Sequence, residues 1–201
     1  MGRSLPAVAA SLATLALSVV ACKSAVYAQY DYKKEFDPRT HEYQVGVGDA
    51  LTINVFHQTE MSAGVVVRQD GVVTLPLVGD VVVAGKTPSQ IRDDMQKRVA
   101  KYVKDEGAIV TVAVASSNSY RFVVAGNVGH PGSFAQHYYV TVSEALAMAG
   151  GPSRFAGDEV LIYRVAPSGL RTIPVSYSDV TSGHHPEQDL ALVSGDTIFV
   201  P

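Results

Sequence analysis

The residues best equipped for chemistry in this chain are its six histidines, its one cysteine and its nineteen acids. His184 and His185 are adjacent in a polar stretch, where neighbouring side chains tend to diverge. No HExxH pattern, second cysteine or cluster of carboxylates accompanies them, so they read as solvated loop histidines and no metal site is expected. No G-x-S-x-G nucleophile elbow is present. Gly126-Asn127-Val128-Gly129 lacks the spacing of a phosphate-cradling loop. Glu144 and Asp158 could be imagined as a glycosidase pair, but nothing places them about 5–10 Å apart across a cleft, and Glu144 has a helix-capping role. There is no Trp for a sugar-binding cleft, although ten tyrosines offer faces that could stack on sugar rings. These patterns point away from an enzyme and call for no cofactor.

Cys22 can form no intramolecular disulfide, because it is the only cysteine. An unpaired Cys in an exported protein calls for an explanation. Met1 to Arg3 carries one positive charge, and Leu5 to Val20 (LPAVAASLATLALSVV) is apolar, Ala-rich and uncharged. That is the layout of a secretory signal peptide, and it is shorter than the roughly 18 residues expected of a spanning helix. Val19-Val20-Ala21-Cys22 resembles a bacterial lipobox, in which Cys22 becomes the lipidated first residue. Val26-Tyr27-Ala28 before Gln29 suits an ordinary signal peptidase instead. The isolation of Cys22 favours the lipobox, with cleavage after Ala28 as the alternative. Two or more acyl chains would anchor the protein stably where one does not.

Removing residues 1–21 takes away Arg3 and no acid, leaving 15 basic against 19 acidic residues, a net of −4. This charge gives no basis for binding nucleic acid or for a polybasic membrane patch. The remaining ~180 residues can hold one large or two small domains. At 47% apolar the chain can build a core. Residues 22–42 are polar and aperiodic after Cys22 and read as a tether.

From Tyr43 the pattern turns to short β-rich runs. Leu51 to Val55 alternates as a half-buried strand. Asp70-Gly71 between Val65–Val67 and Val72–Leu75 is a hairpin signal. Pro76 falls at a strand end, where its missing N–H is tolerated. Gly79-Asp80 reads as a turn before the strand Val81–Val83. Thr87-Pro88-Ser89-Gln90 is a capping-box pattern with Pro at the first helical position. It opens a helix over 88–103 with Ile91, Met95, Val99, Tyr102 and Val103 on one face. Ile109 to Val114 returns to strand.

A second unit repeats the recipe. Tyr120 to Ala125 is a strand ending at Gly126, and Val128 to Gly132 is turn-rich. Thr141-Val142-Ser143-Glu144 is a second capping box. Its helix runs to Ala149, is stopped by Gly150-Gly151 and is blocked from resuming by Pro152. Val160–Val165 and Leu170–Val175 are strands around Pro167-Ser168-Gly169, 176–189 reads as a polar loop, and Thr197 to Val200 closes the chain. Gly48-Asp49-Ala50-Leu51 echoes Gly195-Asp196-Thr197-Ile198, and Val82–Gly85 echoes Val123–Gly126. The expected fold is α+β, two small β-rich units in tandem over 43–116 and 119–201.

The ordered series of these motifs resembles the polysaccharide biosynthesis/export family of Wza-type outer-membrane proteins. Tyr43-x4-Gly48-Asp49-x-Leu51-x-Ile53-x-Val55 looks like the opening of the polysaccharide export domain. So does Asp70-Gly71-x-Val73-x-Leu75-Pro76-Leu77-Val78-Gly79-x-Val81-x-Val83-Ala84-Gly85-x-Thr87. The second half resembles a soluble-ligand-binding β-grasp domain, through Val124-x-Gly126-x-Val128-x2-Pro131-Gly132, Thr141-x2-Glu144-Ala145-Leu146-x2-Ala149-Gly150-Gly151 and Leu192-x2-Gly195-Asp196-x-Ile198-x-Val200-Pro201. The glycines Gly48, Gly79, Gly126, Gly132, Gly150 and Gly195 are read as turn residues needing unusual dihedrals, and Asp49, Asp70 and Asp196 as caps on nearby N–H groups. The resemblance implies a non-catalytic oligomeric ring that leads capsule or exopolysaccharide out of the cell. An inner-membrane chain-length regulator (a polysaccharide co-polymerase) is implied as partner. Long members continue into further repeats and a pore-lining amphipathic helix, whereas this sequence reaches Pro201 directly after a strand. A separate outer-membrane pore protein is therefore expected. The implied location is the periplasm and the periplasmic face of the outer membrane. The alternative is a periplasmic ligand- or sugar-binding module.

Overall fold

The computed structural model describes Tyr27, residues 30–102 and residues 109–201. The signal peptide, Cys22 and both cleavage junctions lie outside these residues. Among the described residues the architecture is mixed, with helices over Pro88–Val99, Val142–Met148 and Tyr177–Ser182 and several sheets, consistent with α+β.

The first body packs around Ile53, Val73, Ile91, Met95 and their neighbours. Strand β1 (Ala50–Val55) alternates as its sequence requires, burying Leu51, Ile53 and Val55. It is flanked antiparallel by β2 (Ala63–Val66) and β5 (Val110–Ser116). A separate ribbon of β3 (Val72–Leu75) and β4 (Gly79–Val82) turns Val73, Leu75 and Val81 into the same core. Helix α1 (Pro88–Val99) starts at Thr87 with both bonds of the capping box formed. Gln90 N–H donates to the Thr87 hydroxyl at 3.3 Å, and Thr87 N–H donates to Gln90 Oε1 at 3.0 Å. Ile91, Met95 and Val99 are fully buried, each stabilising the body by roughly 1.5–3 kcal/mol.

The second body is built on one five-stranded sheet in the order β7-β6-β10-β8-β9. Its strands are β6 (Arg121–Gly126), β7 (Gly132–Ala135), β8 (Glu159–Ala166), β9 (Gly169–Ser176) and β10 (Thr197–Val200). The last strand inserts at the centre, parallel to β6 and antiparallel to β8. Helix α2 (Val142–Met148) packs Val142, Ala145 and Leu146 on the sheet's buried face with Phe122, Ile162, Ile173 and Ile198. Thr141 and Glu144 form the second capping box. Gly151 N–H reaches the Leu146 carbonyl and Gly150 N–H the Ala147 carbonyl, with both glycines left-handed, a Schellman closure.

Six expectations need correction. Residues 30–42 are not a free tether. They contain two short 3-10 turns, and Tyr32 is buried in the second core with its hydroxyl on the Pro174 carbonyl. The Asp70-Gly71 turn forms, with Arg68 N–H on the Val72 carbonyl at 3.0 Å, but β2 and β3 then diverge into different sheets. Gly79-Asp80 opens β4, and the turn is Pro76-Leu77-Val78 before it. Helix α1 ends at Val99, leaving Tyr102 exposed. Gly132 begins β7 without a left-handed backbone. The polar loop contains α3 (Tyr177–Ser182), capped by the Ser176 hydroxyl on Asp179 N–H. Only Tyr177 and Val180 among its six residues are apolar, and although both pack against the second core, two positions are too few to show a helical period in the sequence.

Candidate functional site

The sequence echo at the two Gly-Asp pairs is a structural repeat. Gly48 and Gly195 have φ of +91° and +92°. In each turn the aspartate N–H bonds the carbonyl three residues back, and its carboxylate accepts that residue's N–H in return. Both aspartates are buried. Beyond this shared turn they differ in partners, and that difference builds the junction between the bodies.

Asp49 holds the connection from β5 to β6. Its Oδ1 accepts the N–H groups of Asn118 and Ser119, both at 2.7 Å. Its Oδ2 accepts from Tyr43 OH at 2.6 Å, Gly46 N–H at 2.7 Å and Ser119 Oγ at 3.0 Å. Burial, and the hydrogen bond donated to Asp49, push the Tyr43 hydroxyl pKa above the ordinary tyrosine range. A Cβ on Gly46 would stand 2.4 Å from that of Ser119, so the two segments touch as closely as they do only because residue 46 has no side chain.

Asp196 holds a buried arginine. The period of β8 puts Arg164 on the same inward face as Val160 and Ile162. Its guanidinium meets Asp196 in a fork, Nε to Oδ1 at 3.0 Å and Nη2 to Oδ2 at 2.7 Å, and Nη2 also donates to the Ala191 carbonyl. Directly across the ladder stands Arg171, a like-charge pair that would repel by itself. Glu35, from the segment before Tyr43, supplies the missing anion. Its side chain is 2% exposed, with Oε1 2.5 Å from Arg171 Nη2 and Oε2 3.6 Å from Arg164 Nη1. Tyr30 donates to the same carboxylate at 2.6 Å, and burial together with that bond raises its pKa to about 12. Further on, Glu42 accepts Ser89 N–H at the start of α1. Residues 30–42 thus run as a strap from the second body to the first.

Strap and bodies enclose a cleft of about 1070 Å³. Glu35 and Phe36 line it from the strap, Tyr43 to Val47 from the first body, and Ser119 to Arg121, Tyr139 and Arg164 to Pro167 from the second.

The remaining sequence-selected residues are scattered turn positions. Asp70 pairs with Arg68 and accepts Val72 N–H, and the Gly71 carbonyl takes the N–H groups of Val83 and Ala84. Gly85 follows the ribbon, and Val45 bonds across it. Gly126 closes β6 against β10, where an added Cβ would be 2.0 Å from the Val200 carbonyl oxygen. His184 and His185 are exposed and engage different partners, Ser182 and Glu187. Glu144 caps α2, and Asp158 accepts from Ser176 Oγ and Ser178 N–H at the start of α3. Among the described residues no group of three or more His, Cys, Asp and Glu is placed to hold a metal. No described helix is long and apolar enough to cross a membrane. Sequence reasoning missed Glu35, Gly46 and Arg164. Only Arg164 had a local signal, its inward parity in an apolar strand.

Residues 37–115 match the model of the polysaccharide biosynthesis/export protein family. The chain is 36% identical over 128 residues to the EPS I polysaccharide export outer membrane protein EpsA of Ralstonia solanacearum, covering 63% of this chain and 33% of that protein. It is 28% identical over 143 residues to the capsule polysaccharide export outer membrane protein CtrA of Neisseria meningitidis serogroup B, covering 71% and 34%. It is 30% identical over 141 residues to the exopolysaccharide production protein ExoF of Rhizobium meliloti, covering 61% and 32%. The matched stretch spans about a third of the length of these relatives.

Proposed function

The chain belongs, through residues 37–115, to the polysaccharide biosynthesis/export family, and from that premise we propose that it is a non-catalytic component of a capsule or exopolysaccharide export conduit. The observation that carries this reading is the family match over the whole first body, joined to relatives whose names state polysaccharide export. An alignment of 128 residues is longer than the 115 that precede the connection, so the likeness runs into the second body. We read that body, with its last strand inserted parallel to its first and a helix across one face, as a β-grasp domain of the soluble-ligand-binding type.

In this reading the leader directs export and Cys22 carries the lipid anchor. The folded bodies stand in the periplasm against the outer membrane. Copies pack head to tail, because a heterologous interface closes into a ring where its rotation permits. Polymer passes by confinement and weak, hydrated contacts, since tight binding would slow its release. The crossing is assigned to a pore-forming outer-membrane partner. The inner-membrane chain-length regulator is the partner on the other side, on the strength of the family resemblance. The cleft between the bodies supports a second reading, a periplasmic sugar- or ligand-binding module. Mass separates the two. Detergent-extracted protein should run as a high-order oligomer or within a larger complex, whereas a monomer at all concentrations favours the ligand module.

A further inference from the structure

The sheets of the molecule treat their edges differently. In the five-stranded sheet the edge strand β9 carries Arg171 and Pro174, and the other edge, β7, follows directly on Pro131. Charge and proline are the usual guards against a further strand adding to an open edge, proline because it has no N–H to donate. The three-stranded sheet has neither. Its order is β2-β1-β5, so β2 and β5 are both edges, and residues 61–67 and 109–119 contain no charge and no proline.

The hydrogen-bond ladder identifies the backbone groups left over. Phe56 N–H donates to the Ile109 carbonyl at 2.9 Å, so alternation turns Thr111 and Ala113 toward β1 and Val110 and Val112 away from it. On the other side Val67 N–H donates to the Asp49 carbonyl at 2.9 Å, so Ala63 and Val65 bond β1 while Gly64 and Val66 face out. Among the described residues no hydrogen bond takes the outward N–H and C=O groups of Gly64, Val66, Val110 and Val112. The register shift of β5, opposite Ala50 and Leu51, disturbs only its end. Residues 110–113 stay regular, a stretch as long as the four residues of β2.

Strand direction selects the occupant. β2 and β5 are each antiparallel to β1 and therefore parallel to each other. A rotation that keeps strand direction sets β2 of one copy beside β5 of another as a parallel pair, and leaves an unlike edge free at either end for the next copy. Such a heterologous contact closes into a ring, whereas β5 on β5 would stop at a dimer. An extended peptide from another protein would cover one edge and leave the second open. We propose that β2 of one copy adds to β5 of the next, residues 63–66 along residues 110–113, and carries the three-stranded sheet across the boundary between copies. The proposal rests on the reading of the chain as a head-to-tail ring and gives that ring a surface.

The test uses the full chain extracted in detergent. Val66 and Ala113 are exposed on one face of the sheet. Val66→Cys and Ala113→Cys are made in separate chains, expressed alone or together, and treated with a short bismaleimide. Together they should give covalent dimers whose digested peptides join residue 66 to residue 113, and alone neither should. Placing the two thiols in different copies excludes a link within one chain. Val112→Pro removes an outward N–H and no bond to β1, so the native mass should fall to that of one or two copies with the circular dichroism unchanged. Should that variant not fold, the link alone decides. An assembled chain with no 66–113 link, a 113–113 link in Ala113→Cys alone, or a folded Val112→Pro of unchanged mass overturns the edge contact and leaves the ring to another surface. A wild-type chain that stays monomeric at all concentrations overturns ring and edge contact together.

Discussion

Asp49 and Asp196 occupy the same turn in the two bodies, and their partners set what each substitution costs. Asp49 accepts from five donors, three of them on residues 118 and 119. Asp49→Ala strands several buried donors at about 1–3 kcal/mol each, so we expect urea unfolding to show a loss of more than about 3 kcal/mol. A loss under about 1 kcal/mol would mean that water replaces the carboxylate and that Asp49 is no clamp. The glycines separate in the same way. Gly195→Ala meets open space and carries only the strain of a left-handed alanine, about 1–2 kcal/mol. Gly126→Ala adds a collision with the Val200 backbone to similar strain and should cost clearly more. Equal melting temperatures for the two variants would show that the β6–β10 approach is looser than described.

At the scale of elements, the helix starts are local devices and respond locally. Thr87→Ala removes the side-chain acceptor at the start of α1 and should cost about 1 kcal/mol by chemical denaturation. The strap responds at long range. Glu35→Gln takes from Arg171 and Arg164 their shared anion; because Arg164 keeps its fork with Asp196 and Arg171 is 44% exposed, we expect a loss of about 1–3 kcal/mol. Protease cleavage between residues 30 and 42 should accelerate in that variant, and unchanged cleavage would return the segment to the status of a tether. The contrast explains what could be read in advance. Both capping boxes, the alternation of β1 and the Gly150-Gly151 stop are written in residues within a few positions of one another. The strap was not legible. Glu35 lies in a polar, aperiodic stretch, and its partner Arg171 is 136 residues away. The hairpin at Asp70-Gly71 shows the intermediate case: its turn is local and formed, while the sheet each strand joins is decided by packing elsewhere.

For the whole molecule, two cores are joined by the Asp49 clamp and crossed by the strap, so their relative placement is specified by buried polar contacts and not by a shared apolar core. Such contacts fix geometry while adding little net stability. The Gly-Asp echo was visible as sequence, but the division of labour between its two aspartates was not, since it depends on Ser119 being 70 residues from one and Arg164 being 32 from the other. The proposed role in export is tested most directly by deleting the gene in its own host and measuring surface polysaccharide and lipid-linked repeat units together. We expect surface polymer to disappear while repeat-unit synthesis continues, with secretion restored by the intact gene. Normal surface polymer in the deletion strain, with no second copy to substitute, would contradict it.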